Sequence, residues 1–110
     1  KLKDIMEVAK TKPHEYLRIV YDQMYEMYKN KNLKLYFSDC SFEHFFKELC
    51  EEKHYTYYIY MQCCECERIF ELGVCIRGCP VYKVLDEKPD INILAGMARM
   101  DKKQCFYDED

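Results

Sequence analysis

The chain has no tryptophan, and among its 110 residues it has only three glycines, three prolines and three histidines. Glycines at 73, 78 and 96 are too scattered to form the glycine-rich loop that cradles the phosphates of a nucleotide. The three histidines fit neither the pattern of a zinc deaminase nor that of a cysteine nucleophile paired with a histidine base. We therefore expect a protein without catalytic activity.

Long hydrophobic runs are also missing. No apolar stretch approaches the roughly 18 residues that a membrane-spanning helix requires. Residues 1–6, KLKDIM, have neither the apolar segment nor the small-residue cleavage site of a signal peptide. We expect an intracellular protein, cytoplasmic or nuclear, that makes no contact with a membrane.

An excess of positive charge is absent as well. The formal net charge is -3, and it divides into +3 for residues 1–34, from eight Lys/Arg and five Asp/Glu, and -6 for residues 35–110, from nine and fifteen. Proteins that bind nucleic acids usually present a basic face to the phosphates. Nucleic acid is therefore a less favoured partner than protein.

The sequence is otherwise that of a globular domain. Hydrophobic residues make up 49% of the chain and charged residues 34%, a balance that supports one core and one domain over residues 1–110. Apolar side chains at i, i+3 and i+4 spacing predict a helix over 13–30, a second over 42–50, and a third after Pro89. A short leading helix is expected before Pro13, because proline disfavours helix at the residue that precedes it.

Segments rich in β-branched and aromatic residues predict strands at 33–37, 55–62 and 81–85. Together these elements predict an α+β fold in which N-terminal helices pack on a small antiparallel β element that carries a zinc knuckle. A short C-terminal helix follows. The expected division is helical over 1–53, β and zinc-binding over 54–85, and C-terminal helix with acidic tail over 86–110.

Cysteine is the residue that the chain has in abundance. Five of its eight cysteines fall within seventeen residues, and these include two close pairs, Cys63-x2-Cys66 and Cys75-x3-Cys79. Short turns of this kind aim two thiolates at one point, which suits tetrahedral zinc. The metal ligands predicted from the sequence are therefore Cys63, Cys66, Cys75 and Cys79, holding one structural zinc ion.

Alternatives to this ligand set remain open. Cys64 is the surplus thiol of the first pair and competes with Cys63, while Cys50 and His54 form a Cys-x3-His pair that could supply one ligand. Four disulfides are the competing use of eight cysteines in a short chain. A redox role for the CxxC spacing is less favoured, because the glutamates that surround it raise the pKa of a thiol.

Aromatic residues suggest how the chain binds a partner. It contains eleven tyrosines and six phenylalanines, and tyrosine suits protein interfaces because it joins a large contact area to a polar tip. The expected surfaces are the Tyr55–Tyr60 strand and the helix over 13–30. We expect a non-catalytic adaptor or regulatory module with a structural zinc ion; the alternatives are a zinc domain that binds nucleic acid and a secreted, disulfide-rich effector or ligand.

Overall fold

The structure, a computed structural model, describes residues 2–106 and has four helices and four strands in this part of the chain. Their order is α1 (Leu2–Ala9), α2 (Pro13–Lys29), β1 (Leu33–Ser38), α3 (Phe45–Glu51), β2 (Thr56–Cys63), β3 (Ile69–Cys75), β4 (Val81–Leu85) and α4 (Ile91–Met100). The α+β class predicted from the sequence is confirmed.

The strands form one antiparallel sheet in the order β1-β2-β3-β4, so each strand pairs with its neighbour in sequence. Seven residue pairs join β2 to β3, from Thr56 opposite Cys75 to Gln62 opposite Ile69. The strand β3 lies between the two cysteine pairs, where the sequence pattern predicted no strand. Alternation of side chains in Ile69–Cys75 places Phe70, Leu72 and Val74 on one face of the sheet.

One face of the sheet, which we call the α2 face, carries the main core. Helices α1, α2 and α3 cover it, and Val20 and Met24 of α2 pack against it with no exposed surface. Buried tyrosine hydroxyls on this side have partners: the Tyr82 hydroxyl donates to the carbonyl of Pro13 at 2.6 Å, and the Tyr21 hydroxyl donates to the carbonyl of Phe42. This face is therefore apolar and close-packed.

The opposite face, which we call the α4 face, is covered by α4. The pairing of β1 with β2 shifts register between Leu35 and Phe37, and this bulge turns Phe37 toward α4 although Leu35 faces the main core. Two small side chains, Ala95 and Ala98, let α4 approach the sheet closely. The result is a second, smaller apolar cluster.

Two contacts hold the ends of α4 against the sheet. Near its start, the Tyr36 hydroxyl donates to the carbonyl of Pro89, and the carboxylate of Asp90 caps the helix by accepting from the N–H of Asn92 at 2.8 Å. Beyond its end, Lys103 reaches back into the sheet, and Phe106 pairs with Ser38 on the open edge of β1.

No helix within residues 2–106 is both long and apolar enough to span a membrane.

Candidate functional site

The predicted zinc ligands are not brought together by this fold. Cys63 ends β2 and Cys66 lies in the turn that follows, whereas Cys75 ends β3 and pairs with Thr56 at the start of β2. Thr56 and Cys63 are seven positions apart along β2, which corresponds to about 20 Å of extended strand. Because zinc–sulfur bonds are about 2.3 Å long, the two pairs do not fit one tetrahedral ion in this arrangement.

A wider search for donors gives the same result. Across residues 2–106, no three His, Cys, Asp or Glu side chains are placed to hold one metal ion. The alternative ligands Cys50 and His54 flank the end of α3 and do not complete a cluster either. The zinc knuckle expected from the spacing of the cysteines is thus absent from the described fold, and the eight cysteines are free thiols in the structure.

The first cysteine pair nevertheless forms a defined unit, which we call the Cys63 turn (residues 63–67). The N–H of Cys66 donates to the sulfur of Cys63 at 3.4 Å, and the N–H of Glu67 donates to the carbonyl of Cys63 at 3.0 Å. Glu67 takes a left-handed conformation with φ of 61°, which closes the turn. Burial raises the pKa of the Cys63 thiol, but hydrogen bonds from the backbone and thiol of Cys66 and from the backbone of Glu65 outweigh it, so that the pKa is lowered.

Lysines surround the Cys63 turn. One cleft of about 250 Å³ is lined by Cys63 and Cys64 together with Lys34, Lys88 and Glu67. A second cleft lies on the other side of Cys64, and its cationic lining residues are Lys29, Lys31 and Lys34. Four lysines and one glutamate thus line the two clefts, a local excess of positive charge beside Cys63 and Cys64.

Cys40 differs from Cys63 both in its burial and in the direction in which the pKa of its thiol is shifted. It is buried beside β1, and burial raises the pKa of its thiol to about 12 in spite of a hydrogen bond with the Ser38 hydroxyl. A thiol in such surroundings remains protonated and behaves as a small apolar side chain.

A well-formed cavity lies between α4 and the sheet, and we call it the α4 cavity. Its volume is about 410 Å³, within the range of small ligand sites. The sheet supplies a row of three facing residues from neighbouring strands, Tyr60, Glu71 and Lys83, because Tyr60 pairs with Glu71 and Glu71 pairs with Lys83. Helix α4 supplies Leu94 and Met97 as the opposite wall.

Gly73 shapes the floor of this cavity. A Cβ atom added at Gly73 would stand 2.8 Å from a ring carbon of Tyr58, so the glycine lets that ring lie flat over β3. The Tyr58 ring stacks beside the Tyr60 ring, with 6.5 Å between centroids. Burial raises the pKa of both hydroxyls, which therefore stay protonated and serve as hydrogen-bonding groups.

A buried ion pair closes one end of the α4 cavity. The ammonium of Lys103 lies 2.9 Å from a carboxylate oxygen of Asp39, and the two side chains are 3% and 7% exposed. The same ammonium donates to the carbonyl of Thr56 at 2.6 Å and to its hydroxyl at 3.1 Å. The other oxygen of Asp39 accepts the N–H of Tyr58 at 2.8 Å, so both charged groups are fully engaged within the fold.

Glu71 is the carboxylate left to face a ligand from the sheet. Burial raises its pKa, while the nearby ammonium of Lys83 and a hydrogen bond with Tyr60 partly offset that effect. Asp101, just beyond the end of α4, adds a second carboxylate at the rim. The polar groups that remain available are thus two carboxylates, one ammonium and the tyrosine hydroxyls.

The outer side of α4 is apolar and exposed. Ile93, Met97 and Met100 are 63%, 58% and 84% exposed, and their i, i+4, i+7 spacing places them on one stripe. Met97 belongs both to this stripe and to the wall of the α4 cavity. We call the stripe and the cavity together the α4 surface.

The surfaces expected from the sequence are placed differently. β2 is an interior strand, so Tyr57 is buried under α3, Tyr58 and Tyr60 lie beneath α4, and only Tyr55, just before the strand, is largely exposed. On the helix predicted at 13–30, Ile19 is the large apolar residue that stays exposed. The tyrosines of β2 therefore do not form an exposed surface on which bases could stack beside the lysines that line the clefts at the Cys63 turn.

The second cysteine pair lies at the other end of β3. Cys75 shares a cleft of about 220 Å³ with His14 of α2. The cleft brings residues far apart in sequence to one place, which helix periodicity alone does not reveal.

A scan against protein-family models found no match to this chain, and searches of curated proteins and of solved structures found none either.

Proposed function

We propose that the chain is a non-catalytic module that binds a protein partner through the α4 surface. The observation that carries the proposal is the stripe of Ile93, Met97 and Met100, three large apolar side chains that are each more than half exposed on one helix. Single exposed apolar residues are common, but a contiguous set beside a cavity is typical of an interaction site.

The stripe and the cavity complement each other. A helix that presents apolar side chains at i, i+4 and i+7 offers a surface on which another helix or an extended segment packs. Methionine adapts to irregular partners because its side chain is unbranched and flexible. Below the stripe, the α4 cavity is deep enough to receive one side chain of the partner, in contact with Met97 and the stacked rings of Tyr58 and Tyr60.

Charge indicates the chemistry of the partner. Among the described residues that line the cavity, Glu71, Asp101 and Lys83 are the charged side chains outside the buried ion pair. The whole segment over 35–110 carries a net charge of -6. The partner that fits is a protein segment with a large apolar anchor residue flanked by lysine or arginine.

A zinc ion is not needed to form this surface. The Tyr36–Pro89 hydrogen bond and the Lys103–Asp39 ion pair hold the two ends of α4, and neither contact involves a cysteine. The interaction role expected from the sequence is thus kept as a proposal, while its zinc-stabilised form lacks a ligand cluster in residues 2–106. Nucleic-acid binding is the weaker alternative, because the tyrosines that would stack on bases lie under α4.

A peptide-display selection tests the proposal. The immobilised chain is used to select peptides from a random library, and bound peptides are then measured against a double variant, Ile93→Asp with Met97→Asp. We expect selected peptides that contain a large apolar residue next to Lys or Arg, with affinity at least about tenfold weaker for the variant, or about 1.4 kcal/mol.

The matched control is the double variant Val8→Asp with Ile19→Asp, which adds the same two charges at apolar residues that are 49% and 51% exposed on α1 and α2. Circular dichroism confirms that each variant is folded. Peptides that bind the double variant as tightly as the unmodified chain, or a selection that enriches no apolar-basic motif, would contradict the proposal. Sedimentation measurements separate a second possibility, that the α4 surface binds another copy of the chain.

A further inference from the structure

The Cys63 turn has a geometry that the interaction role does not use. Its two hydrogen bonds close the backbone, and turns of this kind hold residues i and i+3 within about 7 Å at Cα. A disulfide requires Cα atoms roughly 4.4 to 6.8 Å apart. Because the Cys66 N–H lies 3.4 Å from the sulfur of Cys63, the two cysteines meet within one turn, and their disulfide would not require the strands of the sheet to move.

The pair is accessible to a dissolved reagent. Cys66 is exposed and Cys63 is partly exposed, whereas Cys40 is buried. Cys50 is exposed on α3, and the Cys75/Cys79 pair lies about 20 Å away at the far end of β3. Cys64 is the remaining neighbour, and its side chain lines the clefts that also contain Lys29, Lys31, Lys34 and Lys88.

We propose that Cys63 and Cys66 form a reversible dithiol–disulfide pair that exchanges with an anionic low-molecular-weight disulfide. The lysines of the two adjoining clefts supply the charge that attracts an anionic reagent, and they outnumber Glu67 in the cleft lining and Glu65 on the turn itself. Glutathione disulfide is a reagent of this class and serves as the probe.

The exchange proceeds in two steps that balance. The sulfur of Cys63, which accepts a hydrogen bond from the Cys66 N–H, attacks one sulfur of the probe R–S–S–R and forms a mixed disulfide, and one thiolate RS⁻ leaves and takes up the proton lost by Cys63. The sulfur of Cys66 then attacks the Cys63 sulfur and displaces the second RS⁻, which takes up the proton lost by Cys66. Two thiols of the protein are oxidised, and one molecule of R–S–S–R is reduced to two RSH.

Mass spectrometry on the full chain tests this assignment. Fully reduced protein is incubated with glutathione disulfide, quenched by alkylation and mapped by peptide analysis. We expect a Cys63–Cys66 disulfide as the first product, with two thiols released. In Cys66→Ser the reaction should stop at a glutathione adduct on Cys63, whereas Cys64→Ser and Cys50→Ser should still form the internal disulfide.

Charge is tested separately. Lys88→Gln should slow the reaction with glutathione disulfide about threefold at low ionic strength, and it should leave the rate with the neutral 2-hydroxyethyl disulfide unchanged. Lys12→Gln, at a position far from Lys88 in the sequence, is the control and should change neither rate. Equal slowing of both reagents by Lys88→Gln would overturn the role of charge.

Other outcomes would overturn the assignment of Cys63 and Cys66 as the reactive pair. Adducts that accumulate first on Cys50, Cys64 or Cys79 without a Cys63–Cys66 disulfide would do so, and so would a Cys66→Ser variant that reacts like the unmodified chain. The experiment is run with and without a chelator. A reaction that requires chelator would mean that these sulfurs hold a metal ion and are not a free dithiol pair.

Discussion

The two faces of the sheet differ in how they are built. The α2 face is covered by three helices and filled with apolar side chains, many of them with no exposed surface. The α4 face is covered by one helix and contains a small cluster, a buried ion pair and a cavity of about 410 Å³. The comparison teaches that packing is uneven across one sheet: the first face holds most of the core, and the second leaves polar groups and a cavity, where we propose that a partner binds.

The largest effect should come from the α2 face. Phe45 is fully buried and contacts the rings of Tyr21 and Phe46, so Phe45→Ala removes a well-packed side chain. We expect a loss of about 4 kcal/mol in the free energy of unfolding, measured by urea denaturation. Leu94→Ala, on the half-covered α4 face, is the matched change, and we expect it to cost about 1 kcal/mol. Equal losses would mean that the two faces contribute alike.

A somewhat smaller effect should follow from breaking the ion pair of the α4 face. Lys103→Met leaves the carboxylate of Asp39 buried without its charged partner, and we expect about 3 kcal/mol of destabilisation. The double variant Asp39→Asn with Lys103→Met should recover most of that loss, because no unpaired charge remains. Lys102→Met, at an exposed neighbour, is the control. A double variant as unstable as Lys103→Met would show that the charge itself is not what matters.

The smallest effect should come from Glu71 and should depend on pH. Burial raises the pKa of Glu71 above its ordinary value of 4.5, so folding favours its protonated form. The stability linked to this group is present below 4.5 and is lost as pH rises through the folded-state pKa. Glu71→Gln should therefore be more stable than the unmodified chain at neutral pH, and thermal melts should show the difference shrinking as pH falls through the folded-state pKa toward 4.5. A difference that does not change with pH would exclude this origin.

Much of the fold follows from local pattern. Helix α2 is predicted by its apolar stripe, α4 by Pro89 and the spacing that follows it, and β2 by its run of tyrosines. β3 was missed because its residues stand between two cysteine pairs that suggested a ligand loop. The signal was present in Ile69, Phe70, Leu72 and Val74, whose composition is that of a strand buried on both faces.

The candidate site was less accessible to sequence reasoning. Closeness in sequence indicates closeness in space only within a turn, as for Cys63 and Cys66, and an intervening strand carries Cys75 away from them. The α4 cavity joins Phe37 and Asp39 beyond the β1 bulge to Glu71 and Lys103, and such long-range contacts leave no periodic trace. The exposed stripe of α4 is visible in its spacing, but its orientation depends on which face the two alanines bury.

The strand order β1-β2-β3-β4 also has a kinetic consequence. Each strand lies beside its neighbour in sequence, and the links over 64–68 and 76–80 are only five residues long. Short links keep the entropy lost on closing each hairpin small, so β2, β3 and β4 can assemble by successive local pairing. Docking of α4 requires the bulge of β1 and the contact between Lys103 and Asp39, which are 64 residues apart in sequence. The α4 face should thus be the last part of the molecule to form and the first to open.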